Sequence, residues 1–195
     1  MTTDNYGGTI LIPVTDQNIS PSQYGVPVRN AIIDLDARLQ ETNAGLTNTV
    51  RKLNTDTVTN STTLHLDSEL SLPVLANQAY TLDAFIIYTA PTANDFTLGF
   101  AMTVPTTTAL WTPGAMVVAG TTGIDGNTDH RQYTNATTPT VGGAGSQALV
   151  AMIRGIVLGG IADGTITFRF AEGTAGSSTS AVVLPGSWMS LTPIQ

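Results

Sequence analysis

The sequence predicts a mainly β protein: a C-terminal, jelly-roll-like antiparallel β-sandwich preceded by one N-terminal coiled-coil helix. Composition is the first reason, because the 195 residues include 33 threonines, 19 glycines and 10 prolines, and threonine favours strands while glycine and proline favour turns. The second reason is the alternation of apolar and polar residues in the C-terminal two thirds. The third is a single heptad-like stretch near the N-terminus. Hydrophobic residues make up 42% of the chain, which is enough for a core.

The first element is an irregular segment, residues 1–27. It contains three prolines and a Gly-Gly pair, and its one strand candidate spans residues 9–12. A segment this short cannot build a core of its own. We therefore expect residues 1–27 to dock on another surface.

The second element is a helix over residues 28–54, which Pro27 would start because proline suits the first helical turn. Apolar residues recur in it at heptad-like spacing, at Val28, Ile32, Leu35, Leu39, Leu46 and Leu53. This pattern predicts an oligomerising coiled coil, with helix and linker together covering residues 28–57. Leucine at most a positions does not separate a trimer from a dimer sharply, and we expect the trimer. An amphipathic helix that packs on its own domain is the alternative.

The third element is the β domain, residues 58–195. Residues 80–88 are apolar on both faces, so we expect a strand buried on both sides, whereas residues 96–104 alternate cleanly. Pro73 predicts either an edge strand or a turn. The strands over residues 147–158 and 165–171 flank Gly159-Gly160, which predicts a hairpin with a longer loop. Residues 121–146 are rich in Gly, Thr and Asn and are predicted to form a long exposed loop.

Charge excludes several classes of function. Charged residues make up 11% of the chain, against about 25% in an average protein. The net charge is −7 and Lys52 is the one lysine, so the basic surface that nucleic-acid binding needs is missing. The N-terminus lacks the features of a signal peptide, and no apolar run is long enough for a transmembrane helix. We expect no nucleic-acid partner and no membrane insertion.

Catalytic patterns are not apparent. The chain has no cysteine and two histidines, His65 and His130, and it contains no G-x-S-x-G sequence. Several carboxylates of the β domain fall in predicted turns, where Asp commonly caps backbone groups. The sequence therefore predicts a protein that is not an enzyme and that needs no cofactor.

A weak metal-binding candidate lies at Asp125, Asn127 and Asp129, which match the first three ligand positions of a calcium loop. An EF-hand would need Gly and Glu at positions that His130 and Ala136 occupy, so that motif is excluded. A loop calcium site of another kind and an ordinary Asx-rich turn both stay open.

Several stretches resemble small virion structural proteins of tailed phages of actinobacteria. The resemblance lies in the Leu-Pro-Val-x-Ala-Asn-x-x-Tyr stretch within residues 70–88, in the apolar strand of residues 95–104 and in residues 185–191. Residues 24–32 and 34–39 resemble segments that open such proteins. The motifs are structural, and they carry no catalytic residues over to this chain.

The resemblance implies a virion protein, of the kind often labelled minor tail protein, that is made in the host bacterial cytoplasm. The expected protein is a homotrimeric appendage that residues 1–27 anchor to other virion proteins and that displays the β domain outward, with a host cell-surface glycan as a candidate partner. A capsid decoration or head-fibre protein is the first alternative. A carbohydrate-binding β module is the second.

Overall fold

The computed structural model describes residues 2–3, 9–10, 34, 46–93, 95–118, 124–175 and 180–194, without the side chains of 2–3, 9–10, 116–118 and 124–127. The chain divides into two units, Met1–Ala44 and Gly45–Gln195. In the first unit, β1 (Thr2–Thr3) and β2 (Thr9–Ile10) pair in antiparallel fashion and Asp34 is helical. Most of the predicted docking segment lies outside the described residues.

The second unit is built from strands, as its alternating pattern predicts. In chain order they are β3 (Asn48–Arg51), β4 (Asp56–Thr59), β5 (His65–Val74), β6 (Ala79–Ala90), β7 (Phe96–Met102), β8 (Thr108–Thr112), β9 (Ala115–Val118), β10 (Ile124–Asp129), β11 (Tyr133–Thr134), β12 (Thr140–Val141), β13 (Gly145–Leu158), β14 (Gly164–Glu172), β15 (Ser180–Val183) and β16 (Trp188–Pro193).

These strands form two main antiparallel sheets. The larger sheet runs β11-β8-β13-β6-β15-β4, and β16 joins it by pairing with both β6 and β3. The smaller sheet runs β12-β7-β14-β5, while β9 and β10 form a separate pair. Pro73 lies in β5, which pairs with β14 alone among the described strands, so the predicted edge strand is confirmed.

One apolar core is shared by the two sheets, in a sandwich-like arrangement. The inward residues of β6, including Leu82 and Ile86, belong to the same buried cluster as Leu98 of β7 and Ile166 of β14. Aromatic rings fill its centre, and the ring centroids of Tyr88 and Phe96 are stacked 4.3 Å apart. The alternation that predicted β7 is confirmed, because its inward residues are buried.

A kink interrupts the larger sheet between β15 and β16. On one side, β15 and β16 pair with β4 and β3 in one continuous register. On the other side, their register with β6 shifts by two residues between Val183 and Trp188, so the segment 184–187 contains two residues more than the part of β6 opposite it. Gly186 turns the chain there with a φ of 92°. The Ser187 hydroxyl accepts a hydrogen bond from the Ile87 backbone N–H at 2.9 Å. Opposite the kink, the Lys52 N–H donates to the Ser187 carbonyl at 2.8 Å.

The helix predicted to reach residue 54 is wrong at its C-terminal end. Asn48–Arg51 is strand β3, paired with β16. The β-branched Thr49 and Val50 suit a strand, and Val50 packs against the core. Tertiary pairing thus overrides the heptad pattern here, and the β domain begins before residue 58.

The predicted hairpin around Gly159-Gly160 is also wrong. β13 lies in the larger sheet and β14 in the smaller one, so the connection crosses between the sheets. The two glycines serve close packing, because a Cβ on Gly159 would lie 2.2 Å from the Leu75 carbonyl oxygen. On Gly160 it would lie 2.1 Å from the Thr106 hydroxyl.

Two further expectations need correction. Residues 121–146, predicted as a long loop apart from a weaker strand near residues 131–134, contain β10, β12 and the first residues of β13 besides β11, which matches that weaker strand. The strand predicted to be buried on both faces, now β6, is buried on one face only, since Phe85 and Ile87 are half-buried on its outer side. Apolar side chains of β6 therefore lie on the outer face of the larger sheet.

Candidate functional site

The residues predicted to form the trimer contact divide into two groups. Leu46 and Leu53 flank β3 and are exposed by 53% and 68%, without the helical spacing that the coiled coil required. The other four, Val28, Ile32, Leu35 and Leu39, lie outside the described residues. The structure therefore does not bring the six together as one helical seam.

The metal candidates belong to strand β10 and not to a loop. The Asp129 carboxylate is occupied: it accepts hydrogen bonds from Arg131 Nε at 3.1 Å, Arg131 Nη2 at 2.9 Å and the Tyr133 hydroxyl at 2.7 Å. The bonds from Arg131, with that from Tyr133, hold the pKa of Asp129 down at about 2. The side chains of Asp125 and Asn127 lie outside the description. Among the described residues no group of three or more His, Cys, Asp or Glu side chains could hold a metal ion.

The most unusual polar site surrounds Lys52, whose side chain is fully buried. Its Nζ lies 2.8 Å from Oδ2 of Asp67, which is equally buried, 3.5 Å from Oε2 of Glu69 and 3.9 Å from Oδ2 of Asp56. Removing charges from water is costly, and close pairing offsets only part of that cost. One lysine with three carboxylates is therefore a site that the fold builds at some cost.

The backbone positions the two buried partners. Lys52 is held opposite the kink by the bonds between its own backbone and the backbone of Gly186 and Ser187. Asp67 lies in a bulge of β5, where the register with β14 shifts, and its Oδ1 accepts the N–H groups of Glu69 and Leu70, both at 2.9 Å. The bulge and the kink thus bring the amine and the carboxylate together.

Glu69 and Asp56 border the buried pair from its more exposed side. Glu69 accepts the Asn54 N–H at 2.9 Å and the Leu53 N–H at 3.2 Å, and these bonds, with the charge of Lys52, lower its pKa. Asp56 accepts the Ser68 N–H at 3.0 Å and lies 3.2 Å from Nε2 of His65. Although partial burial opposes it, the pKa of Asp56 is lowered by the Ser68 bond and by the charges of His65 and Lys52.

Sequence reasoning missed this cluster. Lys52 is notable in the sequence only as the one lysine of a charge-poor chain, and several carboxylates of the β domain fall in predicted turns. A single lysine followed within 17 residues by three acidic residues, Asp56, Asp67 and Glu69, is the signal that the sequence offers. Their contact depends on a strand bulge and a kink, which no local pattern predicts.

An apolar row crosses the outer face of the larger sheet. Met152 of β13 lies opposite Phe85 of β6, which in turn lies opposite Trp188 of β16. Val150 and Ile87 form a second cross-strand pair beside the first. Met152 is 57% exposed, and the other four are partly exposed. We call these five side chains the outer apolar row.

The outer face of the smaller sheet has the opposite character. Hydroxyl pairs cross it: Ser71 with Thr167 at 2.8 Å and Thr97 with Thr140 at 3.0 Å. Threonine thus supplies a neutral polar surface on this side. The two outer faces differ in polarity, and the apolar one belongs to the larger sheet.

A shallow groove of about 350 Å³ lies next to the outer apolar row. It is lined by Leu110, Ile156 and the polar side chains of His130, Gln132 and Arg154. The guanidinium of Arg154 also pairs with Asp83 across the strands, Nε to Oδ1 at 3.4 Å. Donors and apolar surface are therefore both present in the groove.

Comparison with known proteins gives no family. No protein-family model matches the sequence, and no curated protein matches it. One solved structure, "Structure of infectious bursal disease virus Gt strain", is similar with a TM-score of 0.19 and 12% identity. That likeness covers 76% of this chain and 41% of the viral one, so this chain spans less than half of that chain's length. None of the helices in the described part of the chain is long and apolar enough to cross a membrane.

Proposed function

We propose that this protein is a non-enzymatic structural protein of a phage particle, a homotrimeric appendage that displays its β domain outward. Its N-terminal segment would attach it to other virion proteins, and the jelly-roll-like β domain would be the displayed part. The outer apolar row carries the proposal. The resemblance of the sequence to small virion proteins of tailed actinobacteriophages supplies the setting.

A second copy of this chain is the occupant that suits the outer apolar row. Interfaces between identical chains have apolar centres and polar rims. Here the apolar centre, formed by Met152, Phe85 and Trp188, is bordered by Arg51 on one side and by the Arg154–Asp83 ion pair on another. A sheet face with such an apolar centre buries apolar area when copies pack around an axis.

The test is the mass of the full chain in solution, measured by light scattering after size exclusion. We expect a particle of three times the 20.3 kDa chain mass. Met152→Lys places a charge in the centre of the row and should shift the protein toward the monomer at least tenfold in the association constant, because an unpaired charge would be buried.

Ile161→Lys is the matched control, since Ile161 is 80% exposed and lies in the connection between the sheets, outside the row. It should leave the mass unchanged. A wild-type protein that stays a monomer at every concentration contradicts the proposal, as does a Met152→Lys protein that associates like the wild type.

The position on the particle separates the two virion alternatives. Electron microscopy of particles labelled with an antibody against the β domain distinguishes a tail appendage from a capsid decoration or head fibre. Label at the tail supports the appendage, and label on the shell supports the alternative.

The groove beside Arg154 is the observation that favours the second alternative, a carbohydrate-binding module. Calorimetric titration of the full chain with fragments of bacterial cell-wall glycan tests it. Binding that Gln132→Ala and Arg154→Ala abolish would establish glycan recognition. An absence of heat at millimolar glycan would remove that alternative.

A further inference from the structure

We propose that Lys52 and Asp67 become joined by an intramolecular amide bond, with Glu69 as the catalytic residue that moves the proton. The proposal does not depend on the function proposed above. It rests on the distance, burial and hydrogen bonding of these side chains, which together form a site where an amine and a carboxyl group can condense.

The amine of Lys52 is in direct contact with the carboxylate of Asp67. Lys52 Nζ and Asp67 Oδ2 lie 2.8 Å apart, and neither side chain has any exposed surface. Yet neither atom has a hydrogen-bond partner of acceptable geometry among the described residues, so the amine approaches the carboxylate off the axis of a hydrogen bond. The carboxyl carbon that the amine would attack is bonded to this Oδ2, so the contact holds the amine next to the reacting carbon, as a near-attack arrangement requires.

The other oxygen of Asp67 is surrounded by hydrogen-bond donors. Oδ1 accepts two backbone N–H groups, from Glu69 and Leu70, each at 2.9 Å. When an amine attacks the carboxyl carbon, negative charge develops on the oxygen that stays bound. Two preorganised backbone donors at this distance stabilise such an oxyanion.

The carboxylate of Glu69 lies beside the reacting pair, where it can transfer a proton. Oε2 of Glu69 lies 3.5 Å from Lys52 Nζ, and the N–H groups of Leu53 and Asn54 hold it there. A carboxylate in this place can accept a proton from the attacking nitrogen and return it to the leaving oxygen.

The reaction balances without a co-reactant. A proton passes from the Lys52 ammonium to Asp67 Oδ2, leaving a neutral amine and a neutral acid. The Nζ lone pair then forms the C–N bond at Cγ, and the carbonyl electron pair moves to Oδ1. Glu69 accepts one proton from Nζ and passes it to Oδ2. The C–Oδ2 bond breaks, one water leaves, and Glu69 is a carboxylate again.

Forming the amide removes the cost of keeping two charges buried at this site. Two buried charges become one neutral amide, so the desolvation cost of the ion pair disappears. The bond also closes a covalent loop from the segment after β3 to the bulge of β5. In a chain without cysteine, this is a covalent cross-link that disulfides cannot provide.

Intact mass measurement of the denatured full chain tests the proposal. We expect the wild type to weigh one water less than its sequence, after allowance for the N-terminal methionine. Trypsin should cut after Arg51 and fail to cut after Lys52, because an acylated lysine is not a substrate. Chymotrypsin should then yield a branched peptide that joins Lys52 to Asp67.

Two variants control the experiment. Lys52→Arg keeps the positive charge but supplies no nucleophilic amine, so its mass should equal its sequence mass. Glu69→Gln keeps the size of the side chain and should leave the uncross-linked chain as the main species, with circular dichroism used to check that it folds.

The wild-type measurement is decisive even if a variant fails to fold. A wild-type mass equal to the sequence mass overturns the proposal. So does a water loss that maps to Asp125-Gly126 or Asp163-Gly164, where succinimide formation would cause it. A fully cross-linked Glu69→Gln chain overturns the role of Glu69.

Discussion

At the scale of single residues, several of the protein's few charged side chains are buried. Lys52 and Asp67 are buried as a pair, and the Asp129 carboxylate is nearly buried against Arg131 and Tyr133. Glu172 is fully buried at the end of β14. The sequence predicted that several carboxylates would lie in turns, but Asp67, Asp129 and Glu172 lie in strands. Composition reports how many charges a chain has, whereas burial depends on contacts between distant strands.

The bonds that Asp129 accepts from Arg131 and Tyr133 make the stability of the fold depend on pH. Because its folded pKa is about 2, below the ordinary value of 3.8, this carboxylate stabilises the fold above pH 4 and loses its contribution as the pH falls toward 2. We expect urea denaturation to show a loss of about 1–2 kcal/mol from this group over that interval.

Asp129→Asn should lower the stability at pH 6 and flatten its decline in acid. Asp83→Asn is the control, because the carboxylate of Asp83 is about half exposed and its ion pair with exposed Arg154 contributes little. If wild type and Asp129→Asn lose stability in parallel between pH 4 and pH 2, the interpretation of this cluster is wrong.

At the scale of elements, the alternating pattern predicted strands well where one face is buried. β7 is the clearest success, and the edge position of β5 followed from Pro73. The prediction from the heptad pattern was wrong at β3, because Val50 and its neighbours pair with β16, about 140 residues later in the chain. The larger error concerned glycines: Gly159 and Gly160 were interpreted as a hairpin turn, but they allow a crossing segment to approach other backbone. Local sequence does not distinguish these two uses of glycine.

Gly143 gives a test of the same distinction. A Cβ at this position would lie 2.3 Å from the Pro91 carbonyl oxygen and 2.7 Å from that of Ala90. Gly143→Ala should therefore cost about 2–3 kcal/mol of folding free energy, because the backbone on both sides must shift.

Gly145→Ala is the matched comparison two residues away. Gly145 has a φ of 68° but open space around its Cβ position. Thermal denaturation should show a loss of about 1 kcal/mol, the ordinary cost of an L-residue in this conformation. Equal losses for the two variants would contradict the packing argument.

At the scale of the whole molecule, the two sheets depend on one core. Phe100 of β7 contacts Phe168 of its own sheet at 5.9 Å and Trp111 of the larger sheet at 5.2 Å, measured between ring centroids. The mainly β class and the presence of a core could be predicted from composition. The division of strands between the sheets could not, because it depends on pairings between residues far apart in sequence.

Phe100→Ala should destabilise both sheets together, by about 3–5 kcal/mol. Chemical denaturation followed by tryptophan fluorescence and by circular dichroism should give coincident transitions, shifted by the same amount. Met102→Ala, at a partly buried position near the end of the same strand, should cost clearly less. Transitions that separate in Phe100→Ala would show that the sheets fold independently.

The pairing of β3 with β16 has a consequence for biosynthesis. β16 fills the space between β6 and β3, so the first strand of this domain obtains its partner only after the last one has left the ribosome. During translation, β6 would expose an unpaired edge next to an incomplete core for most of the time the domain takes to be made. We expect a chain truncated before Trp188 to leave β3 without its partner strand and part of the β6 edge exposed, and so to be less stable than the full domain.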